Sequence, residues 1–339
     1  MAIWAGGTSI NSNATAMVFN QVFNKSALSM VRKKNGLLYA ILGKSEPGST
    51  PMSGTTFKGE KKITGNKIEV KLHGKLYAIP TVADGSAEIA SVTPQYDSAT
   101  WGGAEFDLCH YASTYAIPHS ELYRFAGDEA KTMSYLDEVF RHIMLSYEDT
   151  LGTGIHGTNA PARTTLGSWV YAVDDGSTYD VYGGISRADS ANADFRGGYV
   201  NTAVGGLTLA KIRTGQNSCV VNGGSPSVGV CGTAVYGKIQ SLIEGMTQAD
   251  NDPEWNQFGG QYVNYGGIKF VLDQRAPSAT LGLLDPSSFV LYRKDINFTQ
   301  SGIVVDPSKV ATSVLPWESF VQLICIKPNS NAKMSGIDA

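Results

Sequence analysis

The sequence has little of what the common enzyme classes require. Its 339 residues include only four cysteines and five histidines. No Cys-x-x-Cys pair occurs and no histidine stands four residues from another, so neither residue type has the spacing of a metal site. P-loop, His-Glu-x-x-His and Gly-x-Ser-x-Gly sequences are absent as well. We therefore predict no catalytic residues, no metal and no cofactor, and a protein that is not an enzyme.

Charge and long apolar runs are scarce too. Charged residues make up 17% of the chain and the formal net charge is −3, so the balance does not mark a dedicated nucleic-acid binder. No stretch approaches the roughly 18 apolar residues of a membrane span, and residues 1–10 lack the pattern of a signal peptide. The four cysteines are expected to be free thiols in a reducing compartment. The 42% of hydrophobic residues and the 38 glycines are enough for a packed core with many turns.

The first part of the chain predicts an arm, a helix and a charged excursion. Residues 1–16 are small and polar, which is typical of an extended arm. Residues 17–34 carry apolar side chains at helical spacing, up to a stop signal at Asn35-Gly36. A breaker cluster then opens the excursion, which covers residues 46–84.

Two strand-like runs lie within this excursion, at residues 55–63 and 68–72. The turn between them, at residues 64–66, predicts a β-hairpin. The hairpin has few large apolar residues that could anchor it to its own domain. We therefore expect its contacts to lie on another molecule, and a deletion of residues 52–70 to leave the subunit folded.

The middle of the chain predicts the longest elements. Residues 101–117 form a predicted strand that Pro118 ends. A helix is expected from Asp128, its candidate N-cap, to Leu151, with one apolar stripe. The next residues, Gly-Thr-Gly-Ile-His-Gly at 152–157, match Gly-x-Gly-x-x-Gly, but a dinucleotide site needs a strand before the glycines and a helix after them. A long predicted helix precedes this segment, so it lacks the context of a dinucleotide site.

The second half predicts short helices and strands in alternation. Helices are expected at residues 201–213 and 233–245, the latter capped by Thr233. The predicted strands lie at residues 228–230, 262–273 with a turn at Gly266-Gly267, 281–290, 302–305 and 317–326.

The order of these elements resembles that of the major capsid proteins of tailed bacteriophages, which have the Hong Kong 97-like fold. The shared order is arm, charged excursion, strand, long helix, glycine-rich segment, mixed α/β unit and returning strands, and it covers almost the whole chain. Four local sequences are similar to segments of that family: FNQVFNKSA at 19–27, YGGISR at 182–187, YGGIKFVLD at 265–273 and VQLICIKP at 321–328. Residues 151–157 lie where that family places a glycine-rich turn after its spine helix, so the resemblance implies a turn there.

The resemblance implies a mixed α+β fold with five regions along the chain. These are an N-terminal arm and helix at residues 1–45, an extended loop formed by the β-hairpin at 46–84, a peripheral domain at 85–216 with a spine helix at about 128–151, an axial domain at 217–283, and a return to the peripheral domain at 284–339.

The same resemblance implies a function in assembly. Copies of the chain would self-assemble into pentamers and hexamers, which form the icosahedral head around double-stranded phage DNA. The implied partners are a separate scaffold protein, a portal and a decoration protein, with non-specific contact to packaged DNA and none to a membrane. The implied place is the virion, assembled in the host cytoplasm. Three alternatives remain: an encapsulin-like nanocompartment shell, another virion component such as a tail-tube or decoration protein, and a hydrolase, for which the sequence offers no site.

Two segments of opposite charge are candidate contacts between subunits. Residues 58–75 have a formal charge of +4 and residues 121–149 one of −4. Complementary patches steer encounter and set the register of an interface. The resembled family places its extended loop across a neighbouring subunit, near that subunit's spine helix. We therefore predict contacts between loop lysines and acidic residues of a neighbour's helix: Lys58, Lys61, Lys62 and Lys67 with Asp137, Glu138 and Asp149.

Overall fold

A computed structural model describes residues 36–42, 60–62, 65, 67–73, 101–118, 129–243, 262–298, 304–305 and 312–338. Its α-helices are α1 (Gly36–Leu42), α2 (Glu129–His156), α3 (Trp169–Ala172), α4 (Leu209–Val221) and α5 (Thr233–Ile243), and short 3-10 helices cover Ser190–Phe195, Pro286–Ser288 and Pro328–Ser330. The fold is mixed α+β, as predicted. The predicted arm and the helix at 17–34 lie outside the described residues.

Within the described residues, the strands form two larger sheets and three small two-stranded ones. In chain order they are β1 (Glu60–Lys62), β2 (Lys67–His73), β3 (Trp101–Asp107), β4 (Cys109–Pro118), β5 (Val181–Tyr182), β6 (Ile185–Ser186), β7 (Tyr199–Asn201), β8 (Gly205–Gly206), β9 (Val228–Cys231), β10 (Tyr262–Tyr265), β11 (Ile268–Leu272), β12 (Leu281–Leu284), β13 (Phe289–Phe298), β14 (Val304–Val305), β15 (Thr312–Cys325), β16 (Ala332–Met334) and β17 (Ile337–Asp338).

The five-stranded sheet is built around β15, its longest strand. β15 pairs antiparallel with β4 on one side and with β13 on the other, and β1 joins the far edge of β13. Helix α2 is tied to this sheet by a buried hydrogen bond of 2.8 Å between the hydroxyls of Tyr147 and Ser319. Burial raises the pKa of Tyr147 to about 12, so its hydroxyl stays neutral and keeps a proton for this bond.

Helix α2 is longer than predicted. It ends at His156 and not at Leu151, so its 28 residues span ~42 Å at 1.5 Å per residue. The apolar stripe continues past the predicted end, because Ile155 is buried one turn beyond Leu151. Gly152 and Gly154 therefore lie inside the helix. They admit close neighbours, since a Cβ at Gly152 would stand 2.6 Å from Cδ of Arg275, and the interpretation of this segment as a turn is wrong.

The six-stranded sheet runs in the order β10-β11-β9-β12-β16-β7 and separates two hydrophobic cores. Val230 and Leu284 face the core that also holds α1, α2 and α3. Phe270 and Leu283 face a second core with α4 and α5. The sheet takes β7 and β16 from outside residues 217–283, and α4 begins before 217. The unit built on this sheet is therefore wider than the predicted axial region, because the C-terminal β16 pairs with both β12 and β7.

The predicted hairpin of the excursion is wrong in its pairing. β1 lies parallel to β13, and β2 pairs antiparallel with β3 over seven residues, from Lys67 opposite Asp107 to His73 opposite Trp101. We call the β2–β3 pair the ribbon. Its inner side chains, among them Ile68 and Phe106, are buried in the first core. β2 prefers β3 because the alternating apolar residues of the two strands then share one face.

Three smaller predictions also need correction. The predicted strand at 101–117 is two strands, since consecutive burial of Leu108 and Cys109 breaks the alternation where the chain passes from the ribbon to the five-stranded sheet. The predicted helix at 201–213 lies at Leu209–Val221, where the Thr208 hydroxyl accepts from the Lys211 N–H at 3.3 Å. Gly36 of the predicted stop signal lies within a helix, α1, whose Leu37 and Leu38 are buried.

Candidate functional site

The first candidate surface is the outer face of the ribbon. Lys67, Glu69, Glu105 and Asp107 are exposed there. Lys67 Nζ donates to Glu105 Oε2 at 2.9 Å, with the two side chains 70% and 63% exposed. The hydrogen bond and the negative charge of Glu105 raise the pKa of Lys67. Lys67 therefore has a partner in its own chain.

The ribbon face is less positive than the sequence of the excursion suggests. β3 brings Glu105 and Asp107 beside the residues of β2, and Glu69 stands directly opposite Glu105. Like charges in such cross-strand positions repel each other. The excursion's positive charge is thus partly neutralised within the subunit by a strand about thirty residues further along the chain, which the charge count of residues 58–75 could not include.

Two of the other lysines predicted as contacts, Lys61 and Lys62, lie in β1. Lys61 is exposed, and its Nζ stands 6.0 Å from the centroid of the Tyr292 ring, at the outer limit of a cation–π contact. Lys62 is the last residue of β1, and Lys58 lies outside the described residues. Of the two loop lysines whose side chains are described, Lys61 therefore has the weaker contact with its own subunit and Lys67 the stronger.

The second candidate surface is the solvent side of α2, which carries charges of both signs. Glu138, Arg141, His142 and Asp149 are exposed along it. Asp149 Oδ1 accepts hydrogen bonds from Arg275, at 3.1 Å from Nη2 and 3.3 Å from Nε.

Not every acidic residue counted in residues 121–149 lies on this surface. Glu148 is buried, and Asp137 lies in the same helix. Among the described side chains, no ion pair joins Lys61 or Lys67 to Glu138 or Asp149. These contacts concern one subunit, so the pairing between subunits stays a prediction. Lys61 and Glu138 are the members of the set best placed for it.

His156 is a test of whether the fold contains a catalytic centre. Trp169 Nε1–H, which can only donate, lies 2.9 Å from His156 Nδ1, so Nδ1 accepts and the proton sits on Nε2. Nε2 in turn donates to Asp273 Oδ2 at 3.0 Å. Both ring nitrogens are satisfied inside the core, and no hydroxyl or thiol among the described residues is hydrogen-bonded to the ring. The three residues connect α2, α3 and the end of β11, which is a structural role.

Asp273 is held in its charged form by the same group. Burial acts to raise its pKa, but hydrogen bonds from His156 and from the backbone N–H of Arg275 outweigh burial and hold the pKa below its usual value. The carboxylate therefore stabilises the junction between the helix and the sheet as an anion.

Arg187 is a buried residue whose role the sequence analysis missed. Its guanidinium donates to the carbonyls of Ala172 at 2.6 Å, Phe195 at 3.0 Å, Tyr171 at 3.0 Å and Tyr179 at 3.3 Å. Its Cζ also stands 4.8 Å from the centroid of the Tyr182 ring. The sequence YGGISR places an aromatic residue, two glycines and an arginine within six positions. It does not tell which backbone carbonyls the arginine contacts.

Lys333 and Asp174 form a second buried pair that the sequence analysis missed. Lys333 Nζ donates to Asp174 Oδ2 at 2.6 Å and to the carbonyl of Val170 at 3.1 Å. The pair fixes β16 against the loop after α3. Nothing in the sequence marks it, because the partners lie 159 positions apart.

Neither a cluster of metal-ligand side chains nor a membrane-spanning helix occurs in the part of the chain that the structure describes. Within the described residues, no group of three or more His, Cys, Asp or Glu side chains is arranged to hold a metal ion. No helix in the same ranges combines the length and the apolar character that crossing a membrane requires. All four cysteines are buried and free.

Comparison with known proteins gives matches in structure alone. No family model matches the sequence, and no curated protein matches it either. Among solved structures, a chain of the cyanophage A-1(L) capsid aligns with a TM-score of 0.60 and 14% identity, over 82% of this chain and 89% of that one. The chain has the phage capsid fold. Its Hong Kong 97-like architecture thus agrees with the fold that the order of elements predicted.

Two further matches show how widely this capsid fold is used. A chain of the satellite phage P4 procapsid aligns with a TM-score of 0.51 and 11% identity, over 92% of this chain and 90% of that one. An encapsulin from Synechococcus elongatus aligns with a TM-score of 0.51 and 12% identity, over 82% and 85%. The fold is therefore common to phage capsids and to an encapsulin shell.

Proposed function

We propose that this chain is the major capsid subunit of a tailed bacteriophage. Its copies would form pentamers and hexamers, and these would close into an icosahedral head around double-stranded DNA. The observation that carries the proposal is the structural alignment with the cyanophage capsid chain, which spans 89% of that chain. An alignment of this extent, over 82% of this chain, covers most of the subunit and not a single shared motif.

The surface of the described residues is consistent with an assembly role. Closed symmetric assembly requires the same surfaces to meet repeatedly, in register. The ribbon presents charged side chains outward, and its inner face is held by the subunit core. Charges of both signs on an exposed, well-anchored surface favour specific over non-specific contact. The low net charge of −3 suits a wall that need not bind DNA tightly.

The proposal extends to partners and place. A separate scaffold protein, a portal and a decoration protein are the partners we propose besides further copies of the chain. Contact with packaged DNA would be non-specific. Assembly would take place in the host cytoplasm, and the mature protein would reside in the virion.

Electron microscopy of the purified protein tests the proposal directly. We expect closed shells of regular size, alone or with a co-expressed scaffold. Tubes would favour a tail-tube protein, and particles absent under all conditions would contradict a shell role. We also propose that the protein has no catalytic turnover. A hydrolase or oxidoreductase activity that survives purification and disappears on a single substitution would overturn this.

An encapsulin-like nanocompartment is the second candidate, favoured by the match to the Synechococcus elongatus shell. The contents of particles isolated from the native source separate the two functions. Double-stranded DNA inside favours the phage head, and a protein cargo favours the nanocompartment.

A further inference from the structure

The orientation of the ribbon depends on its contacts with other parts of the subunit. It is a separate two-stranded sheet, and none of the described strands of the larger sheets pairs with it. A two-stranded sheet is marginal by itself and twists easily. β3 continues through Leu108 into β4, so the five-stranded sheet holds one end of the ribbon. Elsewhere, its direction relative to the subunit depends on what its inner face and its free edge touch.

The turn between β5 and β6 touches the ribbon at both places. The carbonyl of Gly183 accepts from the backbone N–H of Glu105 at 3.0 Å, on the edge of β3 that β2 does not use. The ring of Phe106, on the inner face, lies 5.0 Å from the ring of Tyr182 between centroids. A backbone hydrogen bond and an aromatic contact thus meet within two consecutive residues of the turn.

The turn is shaped so that only one of its two glycines meets the ribbon. Gly183 and Gly184 have φ values of 60° and 81°, which two-residue hairpin turns of this type require and side chains disfavour. A Cβ at Gly183 would stand 2.6 Å from Cζ of Phe106 and 2.7 Å from Cβ of Ala104. A Cβ at Gly184 would meet nothing within 4 Å. Close packing against β3 therefore requires glycine at 183 for steric reasons, and at 184 only for backbone reasons.

The turn itself is fixed to the subunit core. Tyr182 is buried, and its hydroxyl accepts from the backbone N–H of Cys325 at 2.8 Å, at the end of β15. Arg187, which follows β6, is held by four backbone carbonyls and stands over the Tyr182 ring. The contacts run without a gap from β15 through the turn to β3.

We infer that the Gly183-Gly184 turn is a positioning element that sets the direction of the ribbon, and through it the register in which subunits meet. This inference rests on the proposed assembly function. Gly183 touches no neighbouring subunit in this role. It acts through the ribbon, whose outer face carries the charged residues. A change at Gly183 would therefore alter assembly even where the subunit core stays intact.

The matched variants Gly183→Ala and Gly184→Ala test the inference. Both place a side chain at a positive φ, so both carry the same kind of backbone strain, and only Gly183→Ala also displaces the ribbon. We expect Gly184→Ala to form shells of wild-type diameter. We expect Gly183→Ala to lose them, giving open or irregular particles in electron micrographs while the unassembled subunit still unfolds cooperatively.

Hydrogen exchange on the unassembled subunits tests the same point without assembly. In the wild type and in Gly184→Ala, the Glu105 amide should be protected, and in Gly183→Ala this protection should be lost. Unchanged protection, or normal shells from Gly183→Ala, would overturn the inference. Equal failure of both variants would do so too, since strain alone would then explain the effect.

Two outcomes need separate treatment. If Gly183→Ala does not fold, adding Ala104→Gly and Phe106→Leu makes room for the new methyl group, and the combined variant should recover folding and protection at Glu105. A combined variant that stays unfolded contradicts the inference. If the wild-type protein forms no shells, the proposed function fails, while the exchange comparison still decides whether the turn positions the ribbon.

Discussion

In the six-stranded sheet, β9 and β12 are buried on both faces, whereas in the ribbon β2 and β3 are buried on one face only. The six-stranded sheet, which we call the central sheet, lies between the two cores. Little surface of β9 and β12 is therefore available to another subunit. In the ribbon, Ile68 and Phe106 are buried in the core, and the charged residues are exposed. Contacts between subunits are therefore expected on elements that are buried on one face, and not on those buried on both.

The largest expected effect comes from removing the anchored half of the ribbon. Deleting residues 52–70 takes away β1 and the part of β2 that carries Ile68 and Val70, both buried in the first core. The expectation of a folded truncated subunit therefore has to be reversed. We expect an unfolded or aggregated product, measured by circular dichroism and size-exclusion chromatography.

The control for this deletion is the double variant Lys67→Ala with Glu69→Ala, which changes only exposed side chains of β2. It should fold normally. A truncated chain that remains soluble and unfolds cooperatively would show that the ribbon is dispensable for the core, and would break the comparison with the central sheet.

Single substitutions at two adjacent residues of β2 compare its buried face with its exposed face. Ile68→Ala removes a buried side chain and should lower the free energy of unfolding by about 2–5 kcal/mol. Glu69→Ala, on the exposed face next to it, should change that free energy by no more than about 0.5 kcal/mol. Urea unfolding of unassembled subunits measures both. Equal effects at the two positions would mean that the ribbon has no inner and outer face in solution.

The sequence predicted which side chains share one face of a helix or strand better than it predicted which strands pair. The stripe of α2 and the alternation of β2 follow from spacing alone, and so does the turn at Gly266-Gly267 between β10 and β11, which the structure confirms. The partner of β2 did not follow, because alternation tells which side chains share a face and not which distant strand shares it.

Contacts between distant residues were beyond the sequence for the same reason. Asp149 is 126 positions from Arg275, and no local pattern joins them. The sequence placed the end of α2 too early because glycine usually weakens a helix. Here the close packing of neighbouring side chains favours glycine at 152 and 154 within the helix.

The junction of α2 with the central sheet should respond to acid, which a purely apolar contact would not. The folded-state pKa of Asp273 lies below its unfolded value of about 3.9, so its stabilisation is complete above that pH and is lost as the pH falls through the folded pKa. Asp273→Asn should lower the free energy of unfolding at pH 7 by about 1.5–3 kcal/mol. The difference from the wild type should shrink on acidification.

Unfolding curves between about pH 7 and pH 2 measure this difference over the range in which carboxylates titrate. Glu138→Gln, which neutralises an exposed carboxylate, is the control and should leave the acid response of the wild type nearly unchanged. A constant difference between Asp273→Asn and the wild type at every pH would show that the carboxylate contributes by its shape and not by its charge.

The smallest expected effect per contact concerns the outer surfaces, where Lys67 and Asp149 already have partners in their own chain. The pairing between subunits then depends on Lys61 and Lys62 of one copy and on Glu138, with Asp137, of the next. Each exposed pair should contribute only about 0.2–1 kcal/mol, but every subunit repeats it. We expect Lys61→Glu with Lys62→Glu to slow shell formation, as followed by light scattering, and Glu138→Lys in the same chain to restore part of the rate.

Because salt screens such contacts, the assembly rates of the wild type, the double variant and the triple variant should converge as the ionic strength rises towards about 1 M. Glu138→Lys alone is the matched control and should slow assembly by itself, since it then opposes unchanged lysines. If it has no effect alone and rescues nothing in combination, the lysines of β1 meet some other part of the neighbouring subunit.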